Sequence, residues 1–228
     1  SFGPMANLAS LLSNVFTVYI YDRRGRGDSS DTAPYAITRE IEDLDALIRE
    51  AGGSAFVFGM SSGAILCLHA AEKGLGIRKL ALYEPPFMAG QGGDPSFENQ
   101  AQQLTELSAS GRRGEAVEFF MTAIMGMPNG AVAPMKNAPT WPSMEAVAHT
   151  LAYDVIITGD QTLANKMASI KVPTLVIGGE NSPPPLRKAV DYIVDSISNA
   201  QRQILEGQTH NISNEILAPI LKTFFVAD

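Results

Sequence analysis

Ala55-Phe-Val-Phe-Gly-Met-Ser-Ser-Gly-Ala-Ile-Leu-Cys-Leu-His-Ala70 reads as a short buried strand, a sharp turn and a helix continuing to about Lys73. The turn, Gly59-Met60-Ser61-Ser62-Gly63, has the G-x-S-x-G form of a nucleophile elbow. A serine at the tip of a strained strand-to-helix turn points its hydroxyl out of the sheet. Side chains two residues before and after would crowd it, so glycine is expected at both Gly59 and Gly63. The helix N-terminus directly behind supplies backbone N–H groups and a positive dipole end to a developing oxyanion. Centring the motif on Ser62 would put Met60 and Ala64 at the flanks, so Ser61 is the nucleophile candidate.

Around this stretch the chain alternates strand and helix. Met5, Leu8, Leu11 and Leu12 follow a helical period, and Val15–Tyr21 reads as a strand ending at Asp22. The loop Arg23-Arg-Gly-Arg-Gly-Asp-Ser29 contains the adhesion tripeptide Arg26-Gly27-Asp28, but three residues are a weak match. A phosphate loop would need Gly-Lys-Ser/Thr to follow, so a structural turn is the better reading. A helix from Thr38 to about Ala51 places Ile37, Ile41, Leu44, Leu47 and Ile48 on one stripe, and Gly52-Gly53 closes it. Ile77–Tyr83 is the strand after the elbow helix. This succession predicts an α/β protein with a doubly wound, mostly parallel sheet covered on both faces.

The rhythm breaks at Glu84-Pro85-Pro86-Phe87. Residues 87–170 show helical segments (97–110, 114–127, 143–158) separated by Gly/Pro-rich joins. Met121, Met125, Met127, Met135 and Met144 cluster there, with Phe119, Phe120 and the sole tryptophan, Trp141. An inserted helical cap is expected over 87–170, with 1–86 and 171–228 forming the core. The methionines serve as the cap's own core, and Met60, Met121, Met125 and Trp141 are candidates to line an adaptable apolar pocket. After the cap come a strand at Val172–Gly178, a helix at Pro185–Ser198, a strand at Gln201–Leu205 and a closing helix from about Ser213 to Phe225.

Composition narrows the function. Hydrophobic residues make up 45% of the 228 and charged residues 18%, ample for one core. A net charge of −7 with no long basic run argues against nucleic acid and against an anionic membrane as main partner. Cys67 is the single cysteine and reads as a buried filler. With no signal peptide and no apolar run of spanning length, a cytoplasmic protein is expected. The expected partner is a small-molecule substrate, with a homodimer among the assemblies admitted.

Taken together, these motifs resemble the α/β-hydrolase superfamily with a helical cap inserted after the sixth strand, over nearly the whole chain. Asp22-x-Arg24-Gly25-x-Gly27-x-Ser29 is similar to the loop after the family's fourth strand. Gly59-x-Ser61-x-Gly63 matches the elbow, Val172-Pro-Thr-Leu-Val-Ile-Gly-Gly matches strand seven, and Gly207-x-x-His210 matches the histidine loop. The resemblance makes His210 the general base. The chemistry selects it independently: His69 lies in the helix behind the elbow, His149 in the cap, and His210 in a Gly-bearing loop after a strand, where sites of open parallel sheets gather.

The acid departs from the family pattern. The resemblance implies an aspartate where this chain has Ser182, in Gly178-Gly-Glu-Asn-Ser-Pro183. Some relatives carry the acid at the end of strand six, which here is Glu84. Glu84, Glu180 or no working acid all stay open, and Asp154 is read as a structural or pocket residue. The resemblance also implies about thirty more residues upstream, with a third strand and an oxyanion loop, so the natural protein is expected to start earlier. The Ser62 N–H is then one oxyanion donor, with Ser1 or Phe2 near the other. The activity implied is that of a serine hydrolase for an ester, lactone or thioester of a small to medium hydrophobic substrate, needing no metal and no organic cofactor. Carbon–carbon hydrolysis, cofactor-free perhydrolysis and a non-catalytic ligand-binding protein are the alternatives.

Overall fold

The computed structural model describes residues 5–87 and 96–227. In chain order the elements begin with α1 (Met5–Leu12), α2 (Ile37–Glu50), β1 (Ala55–Met60), α3 (Ser62–Glu72) and β2 (Ile77–Tyr83). The helical stretch comes next as α4 (Ser96–Ala109), α5 (Arg113–Phe119), α6 (Asn129–Val132), α7 (Trp141–Ala146) and α8 (Leu151–Thr158). The chain ends with β3 (Thr174–Gly179), α9 (Pro184–Ser196), β4 (Ala200–Leu205) and α10 (Asn214–Val226). Two compact units form: Ser1–Tyr21, Ala36–Gly93 and Asp160–Asp228 make one, and Asp22–Tyr35 with Asp94–Gly159 the other.

The first unit is the doubly wound α/β architecture. Its sheet runs β1-β2-β3-β4, every pair parallel. Strand side chains alternate between faces. On one face Ala81, Tyr83, Leu175, Ile177 and Leu205 pack against α1 and α10 through Leu8, Leu12, Leu217, Leu221 and Phe225. α3 packs on β1 and β2, α9 on β3 and β4, and α2 lies against α3. α2 buries Ile41, Leu44 and Ile48, a helical stripe whose opposite side is charged. Leu163, Met167 and Ile170 are also buried in this unit.

The strand expected over Val15–Tyr21 is not formed. Exposure still alternates there, with Phe16, Val18 and Ile20 turned inward and Val15, Thr17 and Tyr19 outward. Phe16 packs edge-on against Phe56 and Phe225. A strand exists only in a ladder, however, and among the described residues nothing pairs with this one, so the period survives without the hydrogen bonds.

The second unit is helical, built around Leu104, Val117, Val132, Trp141, Ala148 and Val155. Two expected helices are broken. After α5 the backbone widens into a π turn at Phe120–Ile124, where the Thr122 hydroxyl donates back to the Glu118 carbonyl. Between α7 and α8 it tightens into a 3₁₀ turn at Ala148–Thr150, where the Thr150 hydroxyl donates to Val147 O. Such back-bonding competes with the helical ladder and bends it. The loop 22–35 clusters with these helices: Arg23 and Arg26 pair with Asp154, and Tyr35 stacks on Tyr153.

Leu217 is fully buried between α10 and the sheet, so Leu217→Ala should cost about 2–5 kcal/mol by urea unfolding. Ile204, 43% exposed on the edge strand, should cost under about 1 kcal/mol when replaced by Ala.

Candidate active site

The parallel register brings the strand ends together. Met60 lies opposite Tyr83 in the β1–β2 ladder, so Ser61 and Glu84 leave adjacent strands at the same level. The Ser61 N–H donates to the Tyr83 carbonyl at 2.9 Å. Ser61 has φ 54° and ψ −130°, a strained conformation for a residue with a side chain, and Ser62 opens α3 immediately behind it. The glycine requirement is one-sided. A Cβ on Gly59 would come within 2.6 Å of the Gly63 carbonyl and 2.7 Å of Cys67 Sγ, whereas one on Gly63 meets nothing within 4 Å. The expected crowding at Gly63 is therefore corrected: a side chain there, in the first turn of α3, would meet open space.

Glu84 has φ 43° and is wholly buried. Its Oε1 accepts the Gly179 N–H at 2.7 Å, and its Oε2 lies 2.8 Å from His210 Nδ1. Burial alone would raise the pKa of this carboxyl, but the His210 hydrogen bond, the nearby Ser182 hydroxyl and the Gly179 N–H outweigh it and hold Glu84 below the ordinary range. Ser182 is itself buried, and its hydroxyl helps hold the Glu84 pKa down although its Oγ falls short of full hydrogen-bond geometry. With Nδ1–H donated to an ionised Glu84, the neutral imidazole carries its lone pair on Nε2.

The other carboxylate takes a different partner. Glu180 is exposed, and its Oε2 accepts the Gly207 N–H at 3.0 Å at the start of the histidine loop. His69 is buried 3.7 Å from Asp160, and burial depresses its pKa against the pull of that carboxylate. His149 belongs to the helical unit, 3.7 Å from Asp31. Trp141 is buried in the core of that unit and donates its Nε1–H to Glu145. Met121 is half-buried against the same core, Met125 is 57% exposed, and Met60 lies half-buried in the sheet unit. Phe2 and Ser1 lie outside the described residues. Arg26 is bound to Thr150 and Asp154, so the Arg26-Gly27-Asp28 tripeptide is built into the unit. Among the described residues no three His, Cys, Asp or Glu side chains converge as a metal site needs. No described helix is long and apolar enough to cross a membrane.

Sequence reading missed Tyr83 and the setting of Ser182. The Tyr83 phenol donates to the Thr209 carbonyl, next to His210. Its signal was its place at the strand end immediately before Glu84.

A family model described as "Alpha/beta hydrolase family" matches residues 1–215. An alpha/beta hydrolase from Sphaerobacter thermophilus DSM 20745 is similar at 50% identity and TM-score 0.88, covering 99% of this chain and 88% of the other. A hydrolase from Pseudomonas aeruginosa PA01 shares the fold at 22% identity and TM-score 0.70, over 100% and 86% of the two chains. An esterase from Exiguobacterium antarcticum does so at 19% identity and TM-score 0.65, over 96% and 85%. No curated protein matches the chain.

Two outcomes are expected in unfolding experiments. Gly59→Ala should destabilise by about 1–3 kcal/mol, while Gly63→Ala should be neutral or stabilising. Glu84, whose folded pKa lies below its unfolded value of about 4.3, adds stability above that value and loses it as pH falls through the folded pKa. The stability gap between wild type and Glu84→Gln should thus narrow as pH falls below about 4.

Proposed function

Because this chain belongs to the alpha/beta hydrolase family, we propose that it is a serine hydrolase cleaving an ester, lactone or thioester of a small to medium hydrophobic substrate. The observation that carries this reading is the 2.8 Å contact between buried Glu84 and His210 Nδ1, beside a serine held at φ 54°. Ser61 Oγ attacks the acyl carbon while His210 Nε2 takes its proton. Glu84 keeps Nδ1–H in the correct tautomer and stabilises the imidazolium. The Ser62 N–H, at the positive end of α3, donates to the oxyanion.

His210 then returns the proton to the leaving alcohol or thiol as the tetrahedral intermediate collapses to an acyl-serine. Water, deprotonated by the same imidazole, attacks the acyl carbon and releases the carboxylic acid with Ser61 restored. Met60, half-buried, unbranched and immediately before Ser61, supports an apolar and adaptable substrate preference. A cytoplasmic setting accompanies this reading, in which the single cysteine, Cys67, is buried in the core.

Hydrolysis of p-nitrophenyl butyrate tests the assignment. Ser61→Ala and His210→Ala should reduce kcat by about 10⁴ or more, and Glu84→Gln by about 10³ or more. Glu180→Gln should stay within about threefold of wild type in kcat. Retained turnover in Ser61→Ala would refute the scheme, and a collapse in Glu180→Gln with Glu84→Gln unaffected would move the acid to Glu180.

A further inference from the structure

Tyr83 touches the candidate site through three separate groups. Its backbone carbonyl accepts the Ser61 N–H at 2.9 Å. Its phenol donates to the carbonyl of Thr209, the residue preceding His210. Its peptide continues directly into Glu84. The side chain is fully buried within the cluster that α1 and α10 form on the sheet, so the ring cannot swing away without opening the core. Burial, aided by the Glu84 charge, pushes the phenol well above its ordinary pKa, so it remains an O–H donor throughout the working pH range.

The histidine loop needs such an anchor. It turns at Gly207, φ 68°, a conformation that resists little on its own. Backbone bonds hold its first half: Glu180 N–H to the Leu205 carbonyl and Asn181 N–H to the Gln208 carbonyl. Glu180 Oε2 accepts from Gly207 N–H on the outside. At Thr209 the Tyr83 phenol is the interior donor, one residue from the imidazole.

We propose that Tyr83 is a positioning residue of this site, its carbonyl fixing the nucleophile turn and its phenol fixing the histidine loop, with Glu180 as the loop's second tether. The inference rests on the serine-hydrolase reading. It adds that one rigid side chain sets the spacing between nucleophile and base. A general base works only within hydrogen-bond reach of its proton, and a misplacement of about 1 Å can cost about 10²-fold in rate. Removing the phenol oxygen leaves the ring packed, the Thr209 carbonyl without its donor and the loop free to drift.

The test is Tyr83→Phe in the full chain, with three readouts: labelling rate of Ser61 by a fluorophosphonate probe, kcat and KM for p-nitrophenyl butyrate, and amide hydrogen exchange across 206–213. The expected result is a fall of about tenfold in labelling rate and kcat, KM within about twofold, and faster exchange confined to 206–213. Labelling and kcat within about twofold of wild type would overturn the role. A loss of KM rather than kcat would also overturn it, since a displaced base does not weaken ground-state binding. Should Tyr83→Phe fail to fold, Glu180→Ala reads the same loop from its exposed side. Faster exchange with a severalfold fall in labelling supports the tethered loop, and unchanged exchange and labelling overturn it. A wild type inert to the probe overturns the hydrolase reading and this role together, whereas unaltered labelling beside a reactive wild type overturns the role alone.

Discussion

A carboxylate with no exposed surface must be held by donors or it will not stay ionised, and Glu84 meets this condition through parts of the chain far apart in sequence. Gly179 N–H comes from the end of β3 and His210 Nδ1 from the loop beyond β4, while Glu84 itself ends β2. Each donor arrives because all four strands run parallel in the order β1-β2-β3-β4, which puts their carboxyl ends on one edge. A register slip of one residue would invert the side-chain faces and strip the carboxylate of its partners. The fold and the site thus share a single constraint.

That edge also concentrates strain. Ser61 and Glu84, on adjacent strands, are the non-glycine residues with positive φ among those described. Each costs on the order of 1–3 kcal/mol and persists only where surrounding packing over-determines it. Here the determinants are visible: Gly59 admits the Gly63 carbonyl and Cys67 Sγ at distances no Cβ would tolerate, and Ser61 N–H and Glu84 N–H both find carbonyls, at Tyr83 and Ile177. Ser61 sits between the end of β1 and the start of α3, while Glu84 turns into the interior against Gly179 and His210.

Local period and glycine spacing made the elbow, the four paired strands and the flanking helices legible in the sequence. At Val15–Tyr21 the alternation was real and still gave no strand, since pairing depends on a neighbour that no local pattern can supply. The helices expected through Phe120 and Ala148 were broken by threonine hydroxyls whose local competition with the backbone an apolar period does not register. Glu84 and Glu180 were equal in kind as carboxylates at strand ends. Only the three-dimensional register separates a buried one on His210 from an exposed one on Gly207. Tyr83 looked like an ordinary strand residue, because its partners, Ser61 and Thr209, lie 22 and 126 positions away.

Covalent hydrolysis at Ser61 is tested most directly by rapid-mixing mass spectrometry of the protein with p-nitrophenyl butyrate. A butyryl adduct on the peptide carrying Ser61, rising with nitrophenolate release and decaying in water, is the predicted result. Nitrophenolate release with no adduct at any time, undiminished in Ser61→Ala, would contradict it.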